Sequence, residues 1–218
     1  MTANRLKVII LDFDGVVVES NEIKTEAFRR IFSRFPEHAE AMMDFHHAHA
    51  WASRFMKIDH LLSERLGRAD DDELRQQLAT EFSETVAEQL ITVPFVAGAE
   101  SFLSEFSEAV PLYVASVTPQ ADLDSTIASR GLGRYFRGVY GYPPWTKAQA
   151  IRDVLEREKC EPGAAALIGD APGDLQAAAE CGVEFIARRS QISFSAPPPV
   201  MYPDLHAIAD AIRPRVRS

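Results

Sequence analysis

"VIILDFDGVVVES" occupies Val8–Ser20. An apolar run ends abruptly at Asp12, a second aspartate follows at Asp14, and Gly15 comes next. A short run of this kind reads as a buried strand. Like charges repel, so two carboxylates at the mouth of an apolar strand call for more than a packing explanation.

Working outward, "LKVIIL" (6–11), "VPLYVAS" (110–116), "AAALIG" (164–169) and "VEFIAR" (183–188) read as buried strands, and "RGVYGY" (137–142) as a weaker one. Helical patterns punctuated by Gly or Pro lie between the later strands: "PQADLDSTIASRGLG", "TKAQAIRDVLEREK" and "PGDLQAAAECG". Strands alternating with helices of this length imply βαβ units. The expected fold class is α/β, with a Rossmann-like parallel sheet covered by helices on both faces.

The rhythm breaks between about Asn21 and Thr92. "NEIKTEAFRRIF" places Ile23, Ala27, Phe28 and Ile31 at helical spacing, and "DDDELRQQLATEFSETVAEQLI" does the same with Leu74, Leu78, Phe82, Val86 and Leu90. The acidic start of the second segment suits a helix N-terminus. An all-helical domain over 20–92 is therefore expected inside a core domain made of 1–19 and 93–218, the chain returning near "VPFVAG" (93–98). Near the end, "SAPPPVMYPD" (195–204) reads as a Pro-rich loop and "LHAIADAI" as a last helix.

Composition narrows the function classes. The 218 residues carry a net charge of -9, with 46% hydrophobic and 25% charged residues, which is ordinary for a soluble globular chain. That acidity argues against nucleic acid or an anionic membrane as partner. No stretch approaches the about 18 apolar residues of a membrane span, and the run before Asp12 is too short for a signal-peptide core, so a cytoplasmic location is expected. Cys160 and Cys181 form no metal-ligand spacing and read as buried free thiols. Monomer and homodimer are both open.

In an open parallel sheet, ligands bind beyond the carboxyl ends of the strands. Asp12 should stand at that edge, and three other polar signals follow predicted strands: Ser116, Lys147, and Asp170 with Asp174 in "GDAPGD". Each has a plain structural alternative. A strand-end Asp can cap or turn, Ser116 can cap the next helix, Lys147 can be a solvated first-turn lysine, and Asp170 or Asp174 can cap the helix near Pro172. Four such residues at one edge read instead as a site.

These residues carry a resemblance. "DFDGV" resembles the first motif of the haloacid dehalogenase-like hydrolases, and Ser116, Lys147 and "GDAPGD" are similar to the second, third and fourth in order and rough spacing. The helical insertion resembles the cap of the subgroup that holds phosphoglycolate phosphatases and β-phosphoglucomutases. The resemblance implies that Asp12 is a nucleophile forming an aspartyl-phosphate, and that Asp14 acts as general acid and then base. It further implies a Mg²⁺ held by Asp12, the Asp14 carbonyl and Asp170, with Asp174 in support, and a small phosphorylated metabolite as substrate. Ser116 would bond a phosphate oxygen and Lys147 would offset negative charge. Gly15 would let backbone N–H groups approach phosphate. The chain departs from the pattern at Val117, where many relatives carry Asn, and at Ala171, where a hydroxyl residue is frequent.

Within the insertion, Ser53, Arg54 and Lys57 resemble an S-R-x-x-K pattern that related caps direct at substrate. Arg54 and Lys57 share a helix face, and the expectation is that they hold an acidic group on the substrate, with Lys24 as helper. The alternative is a solvated basic edge. His46, His47 and His49 lack the spacing of a metal pair and read as surface or interior histidines. "RGLGRYFRG" follows a helix, so it is not read as a dinucleotide loop. A phosphatase leads among functions. A phosphomutase is the alternative, disfavoured because related mutases usually have His where Lys24 stands. Dehalogenases lack the second aspartate, and a non-catalytic binder of phosphometabolites would have no need of both Asp12 and Asp14.

Overall fold

The computed structural model describes residues 4–196, 198 and 200–216. Its strands are β1 Val8–Leu11, β2 Leu112–Ala115, β3 Gly138–Tyr140, β4 Ala165–Gly169, β5 Glu184–Arg188 and β6 Met201–Tyr202. They form one sheet in the order β3-β2-β1-β4-β5-β6, with every pairing parallel. All four residues of β1 are buried, as the centre of a sheet covered on both faces requires.

Alternation along β1 divides the core. Val8 and Ile10 pack with Tyr113, Leu167 and Phe185 against Ile151 and Val154 of α7 (Lys147–Arg157) and Ala178 of α8 (Pro172–Cys181). Ile9 and Leu11 are equally buried and point to the opposite face. On the sheet's other flank, α5 (Ala99–Ser107) packs on β2, α9 (Leu205–Val216) packs on β5, and the two helices pack on each other. The helix α6 (Gln120–Ser129) lies against the edge strand β3.

Residues Ser20–Val93 form a second compact unit, with the chain on either side of it making the first. The second unit holds α1 (Asn21–Phe32), α2 (Ala39–Ala48), α3 (Arg54–His60), a π-helical turn over Leu61–Arg65, and α4 (Asp72–Thr92). Its interior centres on Phe28, whose ring lies 5.4 Å from Phe32 and 4.5 Å from Phe82. Met42, Ile58, Leu61, Leu62 and Leu78 are fully buried there too. Asp71 caps α4, its side chain accepting from the Leu74 N–H at 2.9 Å. In the first unit, the segment leaving β1 and the segment before α5 are joined: Val18 bridges Phe95, and Glu19 N–H donates to Pro94 O at 2.9 Å.

The strands are shorter than the apolar runs that announced them, because only part of each run is in the ladder. The 195–204 segment is not all loop: Met201 and Tyr202 pair with Ala187 and Arg188 as the edge strand β6. Two residues beside prolines give no periodicity, so composition could not reveal them. Pro197 and Pro199 of that segment lie outside the described residues. Cys160 is buried and Cys181 half-buried, and both are free. Among the described residues no helix is long and apolar enough to cross a membrane.

Gly98 starts α5 at φ +81°, and a Cβ there would lie 2.5 Å from the backbone N of His206 in α9. Gly98→Ala should therefore lower the unfolding free energy by about 2 kcal/mol through backbone conformation and crowding together. Urea denaturation checks this, and an unchanged midpoint contradicts it.

Candidate active site

Strand order alone brings distant residues together. In register, Leu11 lies beside Val114 of β2 and Ile168 of β4. The next residues out are Asp12, Ser116 just past Ala115, and Asp170 just past Gly169, all at the carboxyl ends of adjacent parallel strands. The Asp12 N–H still bonds Ile168 O at 2.9 Å, and Ser116 N–H bonds Tyr140 O at 2.9 Å, so both are held by the sheet's own ladder. Chain connections run from β1 to β2 and β3 on one side, then return to β4 on the other. This reversal is where a parallel sheet opens a crevice.

Asp12, Asp170 and Asp174 are buried, and each offers a carboxylate oxygen within 4.8 Å of the others. Lys147, the first residue of α7, reaches into this group. Its Nζ lies 2.7 Å from Asp12 Oδ2 and also pairs with Asp174 Oδ1. With 9% side-chain exposure, Lys147 is not the solvated lysine that its helix position alone allows. Thr146 and Gln149 cap α7 reciprocally and fix where Lys147 emerges. Asp174 serves two ends, since its Oδ2 also accepts the Ala171 N–H at 3.1 Å in the first turn of α8.

Charge in this group is unbalanced. Burial lifts the Asp12 carboxyl well above the usual carboxylate range; Lys147 opposes the rise, while Asp174, Asp170 and Asp14 add to it. For Lys147, burial disfavours the ammonium, but the charges and hydrogen bonds of Asp12 and Asp174 outweigh it and raise its pKa above that of an ordinary lysine.

Asp14 turns toward β2. Its Oδ2 accepts from Thr118 Oγ1 at 2.8 Å and, more weakly, from Ser116 Oγ at 3.4 Å, while Ser116 Oγ itself accepts the Thr118 N–H at 3.1 Å. Thr118 was not singled out from sequence; its hydroxyl two residues past Ser116 was the available signal. Gly15 adopts φ +74°. Its own N–H is committed to Val18 O at 2.8 Å, and the Phe13 N–H to Asp12 Oδ1 at 2.7 Å, so the turn stiffens itself with those donors.

Arg188 was also missed. It ends β5 at the same sheet edge, its Nη1 donating to Gly15 O at 3.1 Å and to Glu19 Oε2 at 3.1 Å, with Nη2 also on the Glu19 carboxylate. A forked guanidinium can hold a carbonyl and a carboxylate together in a way an ammonium cannot. An arginine closing an otherwise apolar run was its signature in the sequence.

In the helical unit, Ser53 caps α3, its Oγ accepting the Met56 N–H at 3.3 Å. Arg54 and Lys57 are 8% and 2% exposed, which rules out a solvated basic edge. Arg54 Nη1 bonds Ser83 Oγ and, at 3.4 Å, Ala79 O, with its guanidinium 4.9 Å over the Phe82 ring. Lys57 Nζ lies 3.1 Å from His46 Nδ1, 3.4 Å from Ala50 O and 4.8 Å over Phe28. Since Thr25 Oγ1 donates to Asn21 O, His46 Nε2 must donate to Thr25 across their 3.0 Å contact. That leaves Nδ1 to accept from Lys57. Lys24 is half-buried on α1. His47 is exposed and His49 half-buried; the His46 and His47 rings lie 5.2 Å apart, and among the described residues the histidines form no group of three able to hold a metal.

Residues 9–188 match the family model for haloacid dehalogenase-like hydrolases. The chain belongs to that family. A comparison with curated proteins finds no match. Among solved structures, the fold is shared with a predicted phosphoglycolate phosphatase from Haemophilus somnus 129PT at 15% identity and TM-score 0.76, covering 97% of this chain and 99% of that one. CbbY from Rhodobacter sphaeroides, solved with phosphate, has 16% identity, TM-score 0.70 and coverage of 91% and 94%; an aspartate-to-asparagine mutant of CbbY was solved with xylulose-(1,5)bisphosphate. YfnB from Bacillus subtilis, solved bound to magnesium, has 14% identity, TM-score 0.71 and coverage of 96% and 99%.

Burial first, and the nearby charge of Lys24 second, draw Lys57 down from 10.5 to about 7. Between those values the unfolded chain binds the Lys57 proton and the folded chain does not, so its contribution to stability rises with pH through that window. Wild type should thus gain stability relative to Lys57→Met as pH rises above 7. Paired urea titrations on either side of pH 7 test this, and a pH-independent difference contradicts it.

Proposed function

We propose that this hydrolase is a Mg²⁺-dependent phosphatase acting on a small phosphorylated metabolite, a sugar phosphate or phosphoacid. The observation that carries the reading is the buried Asp12 at the end of β1, within reach of Lys147 and of two further carboxylates. Asp12, Asp170 and Asp174 offer only oxygen, and their negative charge exceeds what Lys147 supplies. Such a donor set fits a hard divalent cation, with the Asp14 carbonyl as a further ligand. When bound, the ion would offset repulsion between the Asp12 carboxylate and an anionic phosphoryl group.

In this reading an Asp12 oxygen attacks phosphorus while the bond to the ester oxygen breaks. Asp14 gives its proton to that leaving oxygen, and an alcohol departs. The Asp14 carboxylate then takes a proton from water as the water oxygen attacks the aspartyl-phosphate. Inorganic phosphate leaves, and Asp12 and Asp14 return to their starting states. Ser116, whose hydroxyl is only loosely held by Asp14, turns its proton to a phosphate oxygen, and Lys147 favours the ionised form of Asp12 and holds it in place.

We assign substrate selectivity to the helical unit, with Lys24, Ser53, Arg54 and Lys57 as contacts for an acidic group. Its support is that the described partners of Lys57, namely His46 and a backbone carbonyl, are neutral, so a bound anion would supply the charge that holds this buried amine protonated. The phosphate and bisphosphate bound by CbbY, and the magnesium bound by YfnB, accord with this class of substrate and ion.

A panel of phosphorylated metabolites, each with Mg²⁺ and with chelator, is the test. Phosphate release should require Mg²⁺ and fall about a thousandfold or more in Asp12→Asn. Release from no ester, or an undiminished Asp12→Asn, contradicts the proposal; isomer formation without phosphate release would point to a mutase.

A further inference from the structure

We propose that Thr118 is a positioning residue for Asp14, holding one carboxyl oxygen so that the proton Asp14 transfers is carried by the other. This rests on the phosphatase reading above. Thr118 is buried at 6% exposure, and its Oγ1 donates to Asp14 Oδ2 at 2.8 Å. Ser116 addresses the same oxygen at 3.4 Å, beyond the distance of a good O–H···O bond. Thr118 is therefore the stronger of these two hydroxyl donors.

The asymmetry matters during turnover. Ser116 Oγ is anchored from behind by the Thr118 N–H at 3.1 Å, so its hydroxyl proton can rotate to a phosphate oxygen without the side chain moving. When it does so, the Thr118 hydroxyl still holds Asp14. A carboxyl group that accepts a hydrogen bond at Oδ2 carries its acidic proton at Oδ1. Both transfers thus pass through one atom: Oδ1 gives its proton to the leaving oxygen and, in the second half of the reaction, takes a new one from water.

Thr118 is itself held by backbone. Its carbonyl accepts the Tyr142 N–H at 3.0 Å, and the Gln120 side chain accepts the Gly141 N–H at 2.7 Å. A Cβ on Gly141 would lie 2.7 Å from Thr118 O and 2.6 Å from Gln120 N. Only glycine allows these two loops to approach so closely. Through this contact the loop leading to Lys147 braces the residue that orients Asp14.

The test compares Thr118→Val with Thr118→Ser on two esters in Mg²⁺ buffer. Glycerol 2-phosphate needs a proton on its leaving oxygen, whereas p-nitrophenyl phosphate has a leaving group that departs as the anion. Because kcat/KM reports steps through phosphoryl transfer, Thr118→Val should lower it for glycerol 2-phosphate on the order of ten- to a hundredfold, and much less for the aryl ester. Thr118→Ser should restore most of the loss, since it keeps the hydroxyl. Should Thr118→Val fail to fold, Thr118→Ala serves in its place. Equal losses on both esters alongside a lowered thermal midpoint would indicate a merely structural role and overturn the proposal, as would wild-type rates in Thr118→Val. If the wild type releases phosphate from neither ester nor any metabolite in the panel, the phosphatase reading fails and the proposal with it; an active wild type with an indifferent Thr118→Val overturns the proposal alone.

Discussion

Buried negative charge at the rim of an apolar sheet is what the rest of this structure has to accommodate. Three carboxylates meet where β1 and β4 end, and one ammonium, Lys147, bridges two of them. Removing charge from water is costly, and pairing compensates only when geometry and count both match. Here the geometry is good but the count falls short. The raised pKa of Asp12 is the direct expression of that shortfall, because burial and three neighbouring aspartates together outweigh the lysine. It is this shortfall that the proposed divalent cation would make good.

The sheet order does the assembling. Asp12, Ser116 and Asp170 are far apart in the chain, yet each is the residue following a strand, and β2, β1 and β4 are neighbours in parallel register. Close approach then depends on residues without side chains. Gly169, the last residue of β4, has Asp174 pressed against the space a Cβ would fill, and Gly141 admits the backbone around Thr118. Arg188 clamps the turn that carries Asp14 from the far side by gripping Gly15 O and Glu19. Rigid strands, tight glycine contacts and one forked cation thus locate these carboxylates and hydroxyls.

Much of this was legible because a buried parallel strand and a strand-end aspartate leave opposite marks in composition. Val8–Leu11 is wholly apolar because both faces are covered, and the break at Asp12 marks where cover ends. The amphipathic spacing in α4 likewise shows Leu78, Phe82, Val86 and Leu90 as an inward stripe. Other features left no such mark. The strand β6 is made by backbone pairing to β5 with no apolar pattern of its own. The burial of Lys57 depends on Phe28 and His46 from other helices, so a lysine on a helix face read equally well as solvated. The role of Thr118 is a matter of which hydroxyl lies nearer one oxygen, and spacing along a chain carries no information at that scale.

Calorimetric titration of Mg²⁺ tests the central claim, that the cluster at the sheet rim is completed by a divalent cation. The wild type should bind one ion per chain saturably, and Asp170→Asn, which removes a buried charge at the cluster without changing its shape, should lose that binding while remaining folded. Absence of binding to the wild type, or equal binding by the Asp170→Asn variant, would contradict the account.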